Sequence, residues 1–363
     1  MRAALQSTMT WARTRERHIS AVAMAGGFAF DSYAFGRIDR PMTQLVFIAY
    51  LLAAGGTIAA LHVLESRPEK GNPRTHTILV AAMQFALGAL LSGFCVFYIR
   101  SAALAASWPF LLFMAAIFVG NEYFRAYTSR LVFAGLLFFF SLYSYAILLV
   151  PVLLARIGSL PFLLSGAVAV AVFFVYMKVL ARLGHDRYRG ARHQIAAGML
   201  AITALINLFY FAKVFPPLPL VLSDAGVYHN VKRVGANFQV QGEDEPEAWR
   251  ALFGIYPTLH MGPREKLYLY SAVFAPYRLT TAIEHRWEWY DPKSRSWSLQ
   301  QRVRFSIQGG RADGYRAYSF CSEPKAGEWQ VNIVTSDGRS IGRRRFSVQS
   351  AAQTPVLETK LLK

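Results

Sequence analysis

Seven mostly apolar stretches of this chain, each a candidate to cross a membrane, follow one another almost without a break. They cover residues 19–36, 42–64, 77–99, 104–120, 131–155, 160–181 and 194–213. About 20 mostly apolar residues are needed to cross roughly 30 Å of hydrocarbon as a helix. The second, third, fifth and sixth runs meet this in full. The first is short, glycine-rich and carries Asp31, and the fourth is short but strongly apolar (WPFLLFMAAIFVG). Seven spans are therefore expected, with six as the main alternative. Composition agrees: 54% of the residues are hydrophobic, above the roughly 45–50% of soluble domains.

The net charge of +18 would suit a nucleic-acid binder if the basic residues formed one patch. They do not. Residues 1–219 hold 19 Lys/Arg against 7 Asp/Glu, mostly between the apolar runs, where cytoplasmic loops collect positive charge. Counting alternate connections, one side has fourteen Lys/Arg and the other five: Arg37, Arg40, Arg100, Arg156 and Lys213. The heavy side is expected to be cytoplasmic. That orientation puts the basic N-terminus, residues 1–18, inside and everything beyond residue 213 outside, in the periplasm of a bacterium whose inner membrane holds the spans. No nucleic-acid partner is expected.

The character of the chain changes at Pro216-Pro217-Leu218-Pro219, a helix stop and stiff linker (214–222). Beyond it, short alternating segments replace the long runs. Strands are predicted at 265–275, 283–290, 296–307, 314–320, 327–335 and 341–348. Asp291-Pro292-Lys293 and Ser336-Asp337-Gly338-Arg339 mark hairpin turns. Strands at this spacing suggest an all-β antiparallel, immunoglobulin-like sandwich over 223–350, and 351–363 reads as a loosely attached tail. Cys95 lies in an apolar run and Cys321 in the β region, so no disulfide is expected.

Several C-terminal stretches carry a resemblance: PPLPLVLSDAGVYHNV (216–231), YLYSAVFAPYRLTTAIEHRWEWYD (268–291), IQGGRADGYRAYSF (307–320) and GEWQVNIVTSDGRSIGRRRFSV (327–348). Together they resemble bacterial proteins with a domain known as domain of unknown function 2914, often found behind several membrane helices. GFAFDSYAFGRIDR (27–40) is similar to the first membrane segment of such proteins. The resemblance implies a fold and a location. It brings no activity and no catalytic residues.

Candidate functional positions are few. Asp31 is the one acidic residue inside a predicted span. It is either a proton or ion site or an interfacial carboxylate held by Ser32 or Arg37. Asn121, Glu122, Arg125 and Arg130 follow the fourth span and read as a headgroup or substrate site, or as an interfacial cap. Asn207 and Tyr210 share a helix face suited to interhelical hydrogen bonds. His285, Trp287 and Trp289 share a strand face, with Trp297, Leu299, Val303 and Phe305 opposite in the hairpin. These are an aromatic platform for glycan or peptide, or the sandwich core. Trp287, Trp289, Trp297 and Trp329 are taken as structural aromatics. Arg302, Arg304, Arg343, Arg344 and Arg345 form a candidate basic surface.

Neither a zinc-binding HExxH, a GxSxG elbow nor a phosphate-binding loop is present. Gly309-Gly310-Arg311 and Gly314-Tyr315-Arg316 lack the Lys-Ser/Thr that such a loop needs. No metal or cofactor is expected. The sequence supports an anchored sandwich that binds an envelope protein or polymer rather than an enzyme. The alternative is a transporter or membrane enzyme with its site in the bundle and the β domain as a lid. Nothing in the sequence sets an oligomeric state.

Overall fold

The computed structural model describes residues 31, 39–66, 73–101, 104–123, 131–216, 219–243, 256–311, 313–351 and 355–362. They form two compact units. One holds the helices. The other holds residues 212–363 together with the short segments 100–108 and 151–159.

Six helices appear among the described residues: α1 (Pro41–Ser66), α2 (Pro73–Ser101), α3 (Leu104–Tyr123), α4 (Leu131–Leu154), α5 (Ser159–Leu183) and α6 (His185–Phe211). All except α3 are long and apolar enough to cross a membrane, and α3 carries the shorter apolar stretch Ser107–Ile117. The run at 19–36 lies outside the described residues apart from Asp31, so the seventh span rests on sequence alone. Aromatic rings fill much of the helical unit. Phe47 stacks on Phe94 at 5.1 Å and Phe162 on Tyr210 at 3.6 Å. Some polar side chains act between helices: Tyr145 donates to Gln44, Tyr176 to the Gly55 carbonyl and Asn207 to Tyr143.

α6 starts at His185, well before the predicted 194. The basic stretch HDRYRGARH contains no proline and continues the helix, so Gly184 alone separates α6 from α5. His62 of α1 places its Nε2 3.0 Å from the Leu180 carbonyl and 3.1 Å from that of Gly184. A Cβ at Gly184 would run into His62 and Ser66, so glycine is what lets three helix ends meet.

Among its described residues the second unit has eleven strands: β1 (Val221–Tyr228), β2 (Asn230–Val234), β3 (Asn237–Gly242), β4 (Thr258–Met261), β5 (Lys266–Phe274), β6 (Thr280–Asp291), β7 (Ser296–Gln308), β8 (Tyr315–Ser322), β9 (Gly327–Thr335), β10 (Ser340–Ser350) and β11 (Glu358–Leu362). They make a central three-stranded sheet ordered β1-β5-β8, a five-stranded sheet ordered β4-β10-β9-β6-β7 and a small sheet ordered β11-β3-β2. Pairing is antiparallel except between β4 and β10. The six predicted strands correspond to β5–β10. Both turn signals hold: Asp291 accepts from the Lys293 amide, and Gly338 takes a φ of 84°. The tail does more than the sequence suggests, since Glu358–Leu362 pairs with β3.

β5 explains the layering. Leu267, Leu269 and Val273 face the five-stranded sheet and join one core with Trp287, Trp329, Ile333 and Phe346. Tyr270 and Ala272 face the small sheet and join a second core with Val231, Phe238 and Val240. Both faces of one strand are therefore buried, and its near-continuous apolar run follows from that. Across the larger core runs a polar tie. One ring nitrogen of His285 on β6 lies 2.8 Å from Ser271 Oγ on β5, and the other 2.9 Å from Ser319 Oγ on β8. Trp287 Nε1 donates to the same Ser319 hydroxyl. Hydroxyls can donate or accept, so either tautomer of a neutral imidazole is satisfied. Both cysteines are free thiols.

Burial drives the His285 pKa down from 6.5 to about 3. Between those values the unfolded chain binds a proton that the folded chain refuses, so stability must fall as pH drops through that window, by about 1.4 kcal/mol per pH unit from this group. His285→Gln removes the titration. The gap between wild-type and variant melting temperatures should narrow from pH 6.5 towards 4, read by near-UV circular dichroism on detergent-solubilised protein. A gap independent of pH would refute the account. Trp287 is fully buried, and Trp287→Ala should cost about 3–5 kcal/mol. Trp297→Ala should cost far less, since that ring lies outside the core.

Candidate functional site

The polar side chains of the β unit collect on the free face of the five-stranded sheet. Strand alternation puts them there. Ile283, His285 and Trp287 of β6 point into the core, so Glu284, Arg286, Glu288 and Tyr290 point out. Register then fixes their neighbours. On β7, Arg304 lies opposite Glu284 and Arg302 opposite Arg286. On β9, Asn332 lies opposite Arg286 and Gln330 opposite Glu288. On β10, Arg343 pairs with Asn332 and Arg345 with Gln330.

Glu284 is only 1% exposed although it sits on the free face, because guanidinium groups wall in its carboxylate. Arg304 reaches Oε1 at 2.8 Å, Arg286 reaches Oε2 at 2.9 Å and Arg302 lies 3.6 Å from Oε2. The hydrogen bonds from Arg304, followed by those from Arg286, hold Glu284 below the usual carboxylate range against the cost of burial. One anion cannot neutralise three cations. The side chains of Arg302 and Arg304 remain 52% and 63% exposed, so the surplus charge faces outwards.

Beside this triad lies a second network. Glu288 Oε2 accepts from Gln330 at 2.6 Å and Asn332 at 2.9 Å. The amide oxygens in turn accept from Arg345 at 3.2 Å and Arg343 at 2.6 Å. Burial, with Arg345 next to it, lowers the Arg343 pKa. The Arg345 guanidinium also lies over two rings, Tyr256 at 5.7 Å and Trp297 at 5.6 Å, and Trp297 meets Tyr290 edge-on at 5.3 Å. Tyr256 precedes β4 and Trp297 belongs to β7, so this stack arches over the strands between them.

Of the five arginines singled out from sequence, four share this face: Arg302, Arg304, Arg343 and Arg345. Arg344 has the opposite parity on β10 and donates instead to the Ala225 carbonyl of β1 at 2.7 Å. Trp287 and Trp329 are core residues, and Trp289 packs at the core margin with Nε1 donating to the Ala326 carbonyl. Trp297 and Leu299 require a correction, because they do not share a face with Val303 and Phe305. A β-bulge between Trp287 and Glu288 leaves Gln300 unpaired and reverses the alternation along β7. Glu284, Arg286, Glu288, Tyr290, Gln330, Asn332 and Tyr256 were missed. The alternation of IEHRWEWY already sorts the two glutamates onto the polar side, but nothing local names their partners.

The other candidates fall elsewhere. The Asp31 side chain lies near Ser92 of α2, whose hydroxyl has no hydrogen-bond partner. Asn121 and Glu122 lie in the last turn of α3, with their side chains outside the described residues, as are Arg125 and Arg130 entirely. Gly310 and Gly314 take φ of 102° and 87° in the β7–β8 connection, a turn rather than a phosphate cradle. A further cluster ties the small sheet down. The Glu243 carboxylate accepts from His229 Nε2 at 2.9 Å and from the backbone amide of His260, with His260 Nδ1 2.8 Å away. Among the described residues no group of three or more His, Cys, Asp or Glu is placed to hold a metal.

Removing the carboxylate at the centre of the triad leaves three guanidinium groups facing one another. Glu284→Gln should cost on the order of 3 kcal/mol, against little for Arg302→Ala at the exposed rim. The folded pKa of Glu284 is depressed, so its contribution is present above the unfolded value near 4.5 and is lost as pH falls through the folded value. The wild-type advantage over Glu284→Gln in thermal melts should therefore shrink below pH 4.5. Equal melting temperatures at pH 7 would show that the triad contributes nothing.

No curated protein matches the chain. Among solved structures, it is similar to the crystal structure of an immunoglobulin-like protein from Pseudomonas aeruginosa, at 10% identity and a TM-score of 0.22, over 36% of this chain and 96% of that one. It is also similar to the alkylpurine DNA glycosylase AlkC of Pseudomonas fluorescens, solved bound to DNA containing an abasic site analogue, at 10% identity and a TM-score of 0.20, over 84% of this chain and 99% of that one. Likeness at this level says nothing of function. The resemblance read from the C-terminal stretches is borne out at the level of sequence: residues 280–348, from β6 through β10, match the family described as "Protein of unknown function (DUF2914)".

Proposed function

We propose that this chain is an integral membrane protein of the bacterial inner membrane. It holds its β unit on the periplasmic side, where the arginine-lined face of the five-stranded sheet binds an envelope protein or polymer. Five helices long and apolar enough to cross a membrane support the anchoring. The fourteen-to-five distribution of Lys/Arg between alternate connections supports the orientation. The observation that carries the binding reading is the triad around Glu284, a surplus of guanidinium charge organised on a rigid sheet and left half exposed.

A second reading, a transporter or membrane enzyme with its site in the bundle, is favoured by one observation. Asp31 lies near Ser92, a buried residue of α2, without bonding its hydroxyl. A carboxylate within a predicted span is a common mark of a proton or ion path. Asp31→Asn keeps the shape and removes the charge. Normal membrane abundance with complete failure to complement a deletion strain would favour this second reading.

Two experiments test the first. An alkaline phosphatase fusion after Lys363 should be active, and activity only from a cytoplasmic reporter at that point would reverse the orientation. A photo-crosslinking residue at position 302 should capture envelope material in native membranes, whereas the same residue at position 320, on β8, should not. Equal capture at both positions would remove the arginine face as the binding surface.

A further inference from the structure

We propose that the ligand of this face is an acidic polysaccharide, whose carboxylates pair with Arg302, Arg304 and Arg286 and whose sugar rings lie towards Trp297 and Tyr290. This rests on the binding reading above and names its ligand class. The face is rich in charge and poor in exposed apolar surface. Leu299, 47% exposed, and Tyr256, 37%, are its only large hydrophobics counted as exposed among the described residues. A protein interface usually needs a desolvated aromatic or aliphatic centre, and this face lacks one. Its cations instead form short rows. Arg302 and Arg304 are two residues apart on β7, as are Arg343 and Arg345 on β10, which puts like side chains about 7 Å apart along each strand. Rows of fixed guanidinium groups suit acid groups that repeat along an extended chain.

The local chemistry agrees at both ends. Glu284 draws three guanidinium groups together and is itself hidden behind them, so an approaching anion meets donors already oriented and no exposed carboxylate at that point. Glu288 is likewise occupied by the Gln330 and Asn332 amides. The one other strand acid on the face, Glu328, sits opposite Ser347 at the far end from Arg304. Further along β6 and β7, at the end of the face that Glu328 shares, Trp297 and Tyr290 supply ring edges and faces beside Arg345. Apolar C–H faces of sugars stack on such rings while acid groups reach the guanidinium groups. The two features together favour a charged glycan over an acidic peptide, which would use the arginines alone.

The test uses the full-length protein in an uncharged detergent, with polygalacturonate as the probe and dextran, poly-glutamate and phosphatidylglycerol vesicles as comparisons. Wild-type protein should bind polygalacturonate, should bind dextran at least tenfold more weakly, and should release polygalacturonate as salt rises. Arg302→Ser/Arg304→Ser should lose at least tenfold in affinity, and Arg302→Lys/Arg304→Lys should recover part of it. Because loss of Arg304 also strips Glu284, the single variant Arg302→Ala is measured beside them; it should lose several-fold with an unchanged melting temperature. Wild-type affinity in Arg302→Ala and in the double Ser variant would overturn the proposal. So would dextran binding as tight as polygalacturonate, or poly-glutamate or vesicles bound equally well. Failure of every polyanion, with position-302 crosslinks still specific, would overturn the polysaccharide and leave the binding reading in place. Loss of the crosslinks as well would remove both.

Discussion

The hydrogen bonds between His285 and the hydroxyls of Ser271 and Ser319, one donated and one accepted by the ring, join the two sheets of the sandwich through their core. A buried imidazole with both nitrogens matched tolerates no sliding of one sheet over the other, since a shift of one residue would strand a polar group in apolar surroundings. Apolar packing by Leu267, Leu269, Trp287 and Ile333 supplies the bulk of the cohesion. The polar tie makes one arrangement of those side chains better than its neighbours. β6 is thereby fixed against β5 and β8, and the side chains it presents on the opposite face are fixed with it.

That coupling gives the arginine face its rigidity. Glu284 follows Ile283 and precedes His285, so its backbone is held by two fully buried neighbours. A carboxylate on so stiff a support can order long, flexible guanidinium side chains, which would otherwise lose rotamer entropy on meeting any ligand. The buried carboxylate, whose removal would strand its partners, is also an organiser: the Arg286, Arg302 and Arg304 side chains are gathered before an anion arrives.

Much of this was legible in the sequence, and the failures have local causes. β5 to β10 were readable because each is either a short apolar run, as in β5 and β9, or an alternating segment, and clear turn residues bound them. β1 to β4 and β11 were not, because they are short or irregular. VLSDAGVY carries a register break at Asp224, TLHM is four residues long, and ETKLL is almost wholly exposed. Their pairing is set by partners distant in the chain, which no local pattern encodes. The basic surface was legible as a set of arginines but not as a site. Telling Arg343 and Arg345 from Arg344 needs only parity, whereas finding Glu284 beneath Arg304 needs the β6–β7 register.

The bulge at Gln300 shows how little it takes to convert one face into the other. Strict alternation from Phe305 back through Val303 would carry Leu299 and Trp297 into the core, beside His285 and Trp287. One extra residue on β7 reverses the parity and puts both on the free face, where Trp297 can reach Arg345. The core has no vacancy that would have needed the ring, since Trp287, Trp329 and Phe346 already close that end of it. The hairpin could have ended with alternation intact and a polar residue at position 297. The bulge instead spends a pairing position to bring an aromatic ring among the arginines, and an irregularity that costs ladder hydrogen bonds is best explained by what it brings to the surface.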